Sequence, residues 1–205
     1  MEALRSLLII LVLGALLQGW LLWQQRAVHP SAGILAPSDP VQNNLDSQPP
    51  LEHGHWLLKP RASYDITARI LSREDYHFDA IADLVPEDLA LGWGPMSDTR
   101  ILQSFDISQG YRFYNWRPRH GLPVPREVVI EHSANTHVIP ADAGVRSQLR
   151  KLRVGQVVHL TGLLVDGVSS DGRTVHTSMT RTDSGPGACE IMLVQDLEIQ
   201  APSNF

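Results

Sequence analysis

The stretch Leu7–Trp23 (LLIILVLGALLQGWLLW) carries no ionisable side chain, and it constrains this chain more than any other segment. Its 17 residues, at a rise of about 1.5 Å each, make a helix of about 25 Å, close to the thickness of a bilayer's hydrocarbon core. Trp20 and Trp23 fall where amphipathic indoles favour the membrane–water interface. The residues that follow, Gln24-Gln25-Arg26-Ala27-Val28-His29, hold no small-x-small cleavage pattern, and the nearest small pair, Ser31-Ala32, comes after His29 and Pro30. The segment therefore reads as an uncleaved single-pass anchor in a lipid bilayer, ahead of a cleaved signal peptide or a buried soluble helix. Arg5 and Arg26 nearly balance across it, so orientation rests on a short start followed by a large C-terminal part. That arrangement suits residues 1–6 in the cytosol and the bulk of the chain outside it.

Beyond the anchor lie about 180 residues, enough for one domain with an adequate core. A formal net charge of −5 gives no global attraction to nucleic acid or anionic lipid. With a single cysteine, Cys189, no internal disulfide is possible, and the fold must be held by its core.

Residues 24–55 are rich in proline (Pro30, Pro37, Pro40, Pro49, Pro50) and in Ser, Asn, Gln and Asp. Such a segment buries too little surface to offset its ordering entropy, and it reads as a tether. The folded domain is expected over 56–205. Ser63–Ser72 sets Ile66, Ala68 and Ile70 against Asp65, Thr67 and Arg69, the period-two signature of a half-buried strand. Phe78–Leu91, broken by Pro86, suggests short helical turns, Gly92–Pro95 a tight turn, and Ser97 or Asp98 the cap of a brief helix through Ser104. Tyr111–Trp116 and Val128–His132 read as strands, Asp142–Arg153 as a short helix with a basic face. Gln156–Asp166, Arg173–Thr182 and Ala188–Ile199 read as a closing antiparallel meander. The fold class expected is mainly β with short helices: a small antiparallel OB-like barrel with a helical insertion at residues 74–110, preceded by one transmembrane helix.

In GWGPMSD (Gly92–Asp98), HSANTHVIPA (His132–Ala141) and SMTRTDSGPGACE (Ser178–Glu190), the chain resembles a family of bacterial membrane-anchored proteins of unknown function. The resemblance implies a bacterial envelope location, and it supplies no mechanism.

Possible chemistry is dispersed. His132 and His137, five residues apart, match no compact metal spacing; with His159, His176, Cys189 and Glu190 they form a pool from which His132 and His137 are weak metal candidates. Strand parity places Cys189 with Ile191 and Leu193, expected to face the core, and Glu190 on the other face. Asp183-Ser184-Gly185-Pro186 echoes a serine-protease loop, but the Thr182 before it and the lack of an Ala-Ala-His-Cys signature favour a polar turn, with Gly185 and Gly187 at positive φ. Tyr111–Arg119 interleaves aromatic rings with cations, a pattern suited to base stacking, to a protein or glycan surface, or to one buried strand face. The candidate binding surface is Trp93, Arg112, Tyr114, Trp116, Arg117, Asn135 and His137.

These readings add up to an inner-membrane protein whose periplasmic domain is a binding or assembly module for an envelope protein, with no catalytic machinery and no cofactor. An envelope metal protein or hydrolase built on His132 and His137, and a single-strand nucleic-acid binder centred on Arg112, Trp116 and Arg117, are the alternatives.

Overall fold

Apolar residues at every second position set the course of most of this chain. The computed structural model describes residues 2–24, 26–183 and 185–200; the side chains of residues 2–4, 8 and 20–24 lie outside that description. In chain order the elements are helix α1 (Glu2–Gln24), strands β1 (Val41–Asn44), β2 (Leu51–His53), β3 (Trp56–Asp75) and β4 (Glu87–Gly92), a 3-10 turn (Gly94–Ser97) and helix α2 (Thr99–Leu102). There follow the hairpin of β5 (Phe105–Gly110) and β6 (Phe113–Pro118), helix α3 (Arg126–Glu131), strand β7 (Ser133–Pro140), helix α4 (Ala143–Leu149), and strands β8 (Val157–Ser169), β9 (Thr174–Val175) and β10 (Glu190–Gln200). The fold is mainly β: one large mixed sheet, a separate hairpin and a few short helices.

The alternation expected over Ser63–Ser72 is present and extends along β3, where Leu58, Ala62, Tyr64, Ile66, Ala68 and Ile70 are all buried. β3 pairs antiparallel with β4 on one side and with β8 on the other. β4 pairs with β7, β7 runs parallel to β10, and β10 pairs with β8. The pairings thus pass through β3, β4, β7, β10 and β8 and return to β3. Their inward residues, among them Ile66, Leu89, Leu91, Val138, Leu160, Leu164, Met192 and Val194, form one buried cluster, to which α4 adds Val145 and Leu149. Each such aliphatic side chain contributes about 1.5–3 kcal/mol by leaving water. Asp142 starts α4 as expected, its Oδ1 accepting from Val145 N at 2.8 Å.

Several expectations fail for identifiable reasons. Residues 87–92 form β4 and not helical turns; both faces of this strand are covered, so its side chains lack the alternation that marks a half-exposed strand. Val128–His132 belongs mostly to α3, which Pro125 precedes; a short apolar run does not by itself separate strand from helix. Only Thr174–Val175 of the Arg173–Thr182 stretch is a strand, and β10 pairs with β7 and β8 in place of a meander through β9. The insertion sits between β4 and β7, over Trp93–His132, not over 74–110. It packs Met96, Phe105 and Val129 onto Leu71 and Ala90.

Much of the proline-rich segment read as a tether is docked on the domain. Val28 N donates to Val154 O at 2.7 Å, Gly33 N to Asp98 Oδ1 at 3.1 Å, and Ala36 N to Ser97 Oγ at 3.1 Å, while β1 and β2 both pair with β3. Ordering entropy is offset by these backbone bonds more than by apolar burial, which is why composition alone suggested a free linker. The helix α1 spans 23 residues. Among the described residues no helix is long and apolar enough to cross a membrane; the interfacial role expected of Trp20 and Trp23 falls on side chains outside the description.

The pairing cycle depends on Gly162, opposite Val194 beside the register shift in β10. A Cβ there would lie 2.0 Å from the Leu193 carbonyl oxygen. Gly162→Ala is therefore expected to lower stability by about 2–4 kcal/mol in denaturant unfolding, whereas Gly110→Ala, which meets open space, changes it by under about 0.5 kcal/mol.

Candidate functional site

A carboxylate near the start of β4 organises this region. Asp88 is fully buried, on the face opposite Leu89, and β4–β7 register places it directly across from His137. Its Oδ1 lies 2.8 Å from His137 Nδ1 and accepts from Arg112 Nη1 at 2.9 Å. Arg112 comes from the tip of the β5–β6 hairpin, where Tyr111 and Arg112 both hold positive φ (53° and 67°). That two-residue turn geometry normally favours Asn-Gly, and non-glycine residues hold it only where their surroundings over-determine it. Here Arg112 is fixed by two bonds to Asp79 at 2.9 and 3.0 Å, by Val85 O at 2.9 Å, and by stacking 3.7 Å above the Tyr76 ring.

The same turn delivers a carbonyl. Asn135, buried on β7, donates through Nδ2 to Arg112 O at 3.0 Å and to Cys189 Sγ at 3.5 Å, and its Oδ1 accepts from Gln109 Nε2 at 2.7 Å. The half-buried Cys189 thiol in turn donates to the same Arg112 carbonyl, with Sγ 3.9 Å from the oxygen. Burial opposes charge on His137, but Asp88 and Cys189 outweigh it and carry the imidazole up to about 9.

Over this polar floor opens a cleft of about 120 Å³ walled by Phe113, Tyr114, Trp116 and Ile130. It shares Ser133, Ala134 and Ala188 with a smaller cavity of about 20 Å³ reached by Trp93 and Glu190. Burial pushes Glu190 up to about 8, with Asp183 adding to the shift and a backbone hydrogen bond, His137 and Arg181 opposing it. Burial likewise raises Glu87, on β4 beside Asp88, to about 8 against the pull of Arg73.

The structure brings together Arg112, Tyr114, Trp116, Asn135 and His137 of the candidate surface. Trp93 is fully buried in the interior cluster, and Arg117 is an exposed side chain 3.7 Å from Asp106. The aromatic–basic run is a hairpin and not a single strand: Trp116 packs edge-on against Phe105, centroids 5.7 Å apart, and Arg119 faces Asp106 at 2.9 Å. His132 and His137 have separate partners, His132 Nδ1 lying 2.9 Å from Val128 O with its ring against Gly94. Among the described residues no group of three or more His, Cys, Asp or Glu is arranged to hold a metal. Cys189 does share a face with Ile191 and Leu193, but that face becomes polar where Cys189 stands; Glu190, on the other face, is the residue that enters the interior of the strand cycle with Met192 and Val194. Gly185 and Gly187 have positive φ as expected, while Ser184 lies outside the described residues. Asp88, Cys189 and Gln109 were missed as site residues, Asp88 because its segment looked helical.

Comparison with protein-family models, with curated proteins and with solved structures finds no match to this chain.

Groups whose folded pKa is raised bind extra protons in the native state, so stability falls as pH climbs through those values. His137 holds its stabilising charge below its usual value near 6.5 and loses it through about 9; Glu87 and Glu190 stay neutral from near 4.5 to about 8. The denaturation midpoint is expected to drop between pH 6 and 9. Glu190→Gln should flatten that drop, and an unchanged slope would contradict a buried neutral Glu190.

Proposed function

We propose that this chain is a single-pass, membrane-anchored binding module whose extracytoplasmic domain, a small OB-type barrel with a helical insertion, engages an envelope protein. The cleft beside the β5–β6 hairpin carries the reading. Pockets for small molecules usually enclose about 300–1,000 Å³, and this one, at about 120 Å³, has room for a single side chain of a partner. Phe113, 42 % exposed, extends its aromatic wall outward.

The OB-type assignment is supported by the cyclic pairing of five strands, by the parallel β7–β10 pair, and by α4 lying between the third and fourth strands of that cycle. Anchoring is supported by α1. Ile9, Ile10, Leu11, Val12 and Leu13 are each at least half exposed, and successive residues step about 100° round a helix. An apolar surface on every side, unpacked on protein, suits lipid. Three residues, 25–27, separate α1 from the docked Val28, so at full extension the domain lies within about 14 Å of the helix end. The resemblance of Gly92–Asp98, His132–Ala141 and Ser178–Glu190 to bacterial membrane-anchored proteins agrees with an envelope location. Against the nucleic-acid alternative, Arg112 is held by Asp79 and Asp88, and Arg117 and Arg119 face Asp106.

A photo-crosslinking amino acid at Phe113, in cells expressing the full chain, is expected to give one discrete protein adduct that disappears with Trp116→Ala and is absent from position Glu198, an exposed residue on β10. The chain should stay with membranes in alkaline carbonate, and a C-terminal topology reporter should be active outside the cytosol. Equal adducts at both positions, carbonate release or a cytosolic reporter signal would contradict the proposal.

A further inference from the structure

A larger cavity, of about 480 Å³, lies where the end of β3 and the start of β4 meet helix α4. We infer that it binds a phosphate monoester of a small hydroxylated molecule, with Arg146 and Arg150, at the end of α4, clasping the phosphate. This site rests on neither the anchor nor the partner reading, and their failure would leave it intact.

Ion pairing singles out the two arginines. Of the acids lining the cavity, Asp75 pairs with Arg73 at 2.8 Å, Glu87 with the same guanidinium at 3.2 Å, and Asp83 with Arg173 at 3.2 Å and His55 at 2.9 Å. Arg146 and Arg150 line the same cavity and have no ion pair among the described residues. Their fields are felt by their neighbours. Burial disfavours the protonated His53 ring and Arg146 adds to the effect, while Arg150 opposes the rise that burial imposes on Glu87.

The two guanidiniums stand on a fixed support. Residues four apart on a helix lie about 5–6 Å from each other, and Arg150 N donates to Arg146 O at 3.2 Å, so the helical turn persists through Arg150. Arg73 pins that end of α4 to the sheet. Its Nη1 donates to the carbonyls of Leu149, Arg150 and Leu152 at 3.2, 3.2 and 2.8 Å, groups that a helix end leaves without intrahelical partners. Arg73 is thus committed to structure, which leaves Arg146 and Arg150 for a ligand.

A buried group points to that ligand. Glu87 is 4 % exposed and lines the cavity, yet its Oε1 has no hydrogen-bond partner among the described residues, the Arg73 Nε–H 3.2 Å away being misaligned. Glu87 Oε2 accepts from Arg73 Nη2, so a proton on this carboxyl falls on Oε1. Burial keeps that proton in place up to about 8, and Glu87 meets a ligand as a donor.

Two free guanidiniums and one neutral donor match a dianion with three terminal oxygens. A phosphate monoester, whose second pKa is about 6, is such a dianion at neutral pH. A carboxylate offers one charge and two oxygens. Farther along the wall, the partly exposed Asp75 and Asp83 accept hydroxyls, and Pro86 and Pro140 form an apolar base. The volume falls within the range of about 300–1,000 Å³ usual for small-molecule sites. Free sugar phosphates and phosphoglycerol headgroups of lipids share this chemistry.

The full chain in non-ionic detergent at pH 7 is titrated calorimetrically with glucose 6-phosphate and, separately, with lysophosphatidic acid. Saturable binding of at least one probe, with Kd below about 1 mM, is expected. Binding of glucose 6-phosphate assigns a free sugar phosphate; binding of lysophosphatidic acid alone assigns a lipid headgroup. Glucose and lysophosphatidylcholine should give no saturable heat. Arg150→Gln alters an exposed side chain and should keep the circular dichroism spectrum while weakening binding at least about tenfold. Arg100→Gln, at an exposed arginine of α2, should leave affinity within about twofold. No saturable binding of either probe, equal binding of glucose or lysophosphatidylcholine, or unaltered affinity in Arg150→Gln would overturn the inference.

Discussion

A carboxylate buried in the middle of a sheet is unstable unless its charge is matched, and Asp88 is matched twice. With no exposure to water it would face a desolvation penalty of several kcal/mol. His137 across the strand and Arg112 from the hairpin meet that penalty together. Removing either partner would leave the other to hold the charge, so the hairpin's placement and the orientation of the imidazole are set by one group. From there the arrangement propagates. The turn at Tyr111–Arg112 adopts a left-handed conformation, its carbonyl reaches Asn135, and Asn135 in turn orients toward Cys189. The aromatic cleft follows, because the hairpin that walls it is fixed from below.

The interior of the strand cycle is apolar but for the buried Glu190, which His137 influences through the sheet. Alternation along β3 and β8 sends one set of side chains inward, while the opposite set faces solvent or the insertion. The β4–β7–β10 region is covered on both faces, and the candidate site lies in the outer layer, where Asp88, Asn135 and His137 stand among the buried apolar Ala90, Ile139, Ile191 and Leu193. Segment 28–36 is held by Ser97, Asp98 and Thr99 of the same insertion. One excursion between two strands thus secures both the entry of the chain into the domain and the roof of the cleft.

Legibility from sequence followed exposure. β3 and β8 each have a face that alternates in polarity, and their positions were readable from Ile66, Ala68, Ile70 and from Val158, Leu160, Leu164. β4 was not, because a strand buried on both faces carries no alternation and Pro86 before it suggested a break. The same loss hid Asp88, and with it the reason for His137 and Arg112 to meet. Parity along β10 separated Cys189 from Glu190 correctly; which face was the interior depended on pairing with β7, a parallel contact between segments about fifty residues apart. The proline-rich segment was misread because side-chain hydroxyl and carboxylate contacts to its backbone leave no compositional trace.

The state of His137 tests the account most directly. Nuclear magnetic resonance of its imidazole in the full chain, titrated from pH 5 to 10, should show a ring that stays protonated through neutrality with a midpoint at about 9. In Asp88→Asn the midpoint should move back toward the ordinary value near 6.5. A midpoint already at 6.5 or below in the unaltered protein would contradict the Asp88–His137 pair on which the site is built.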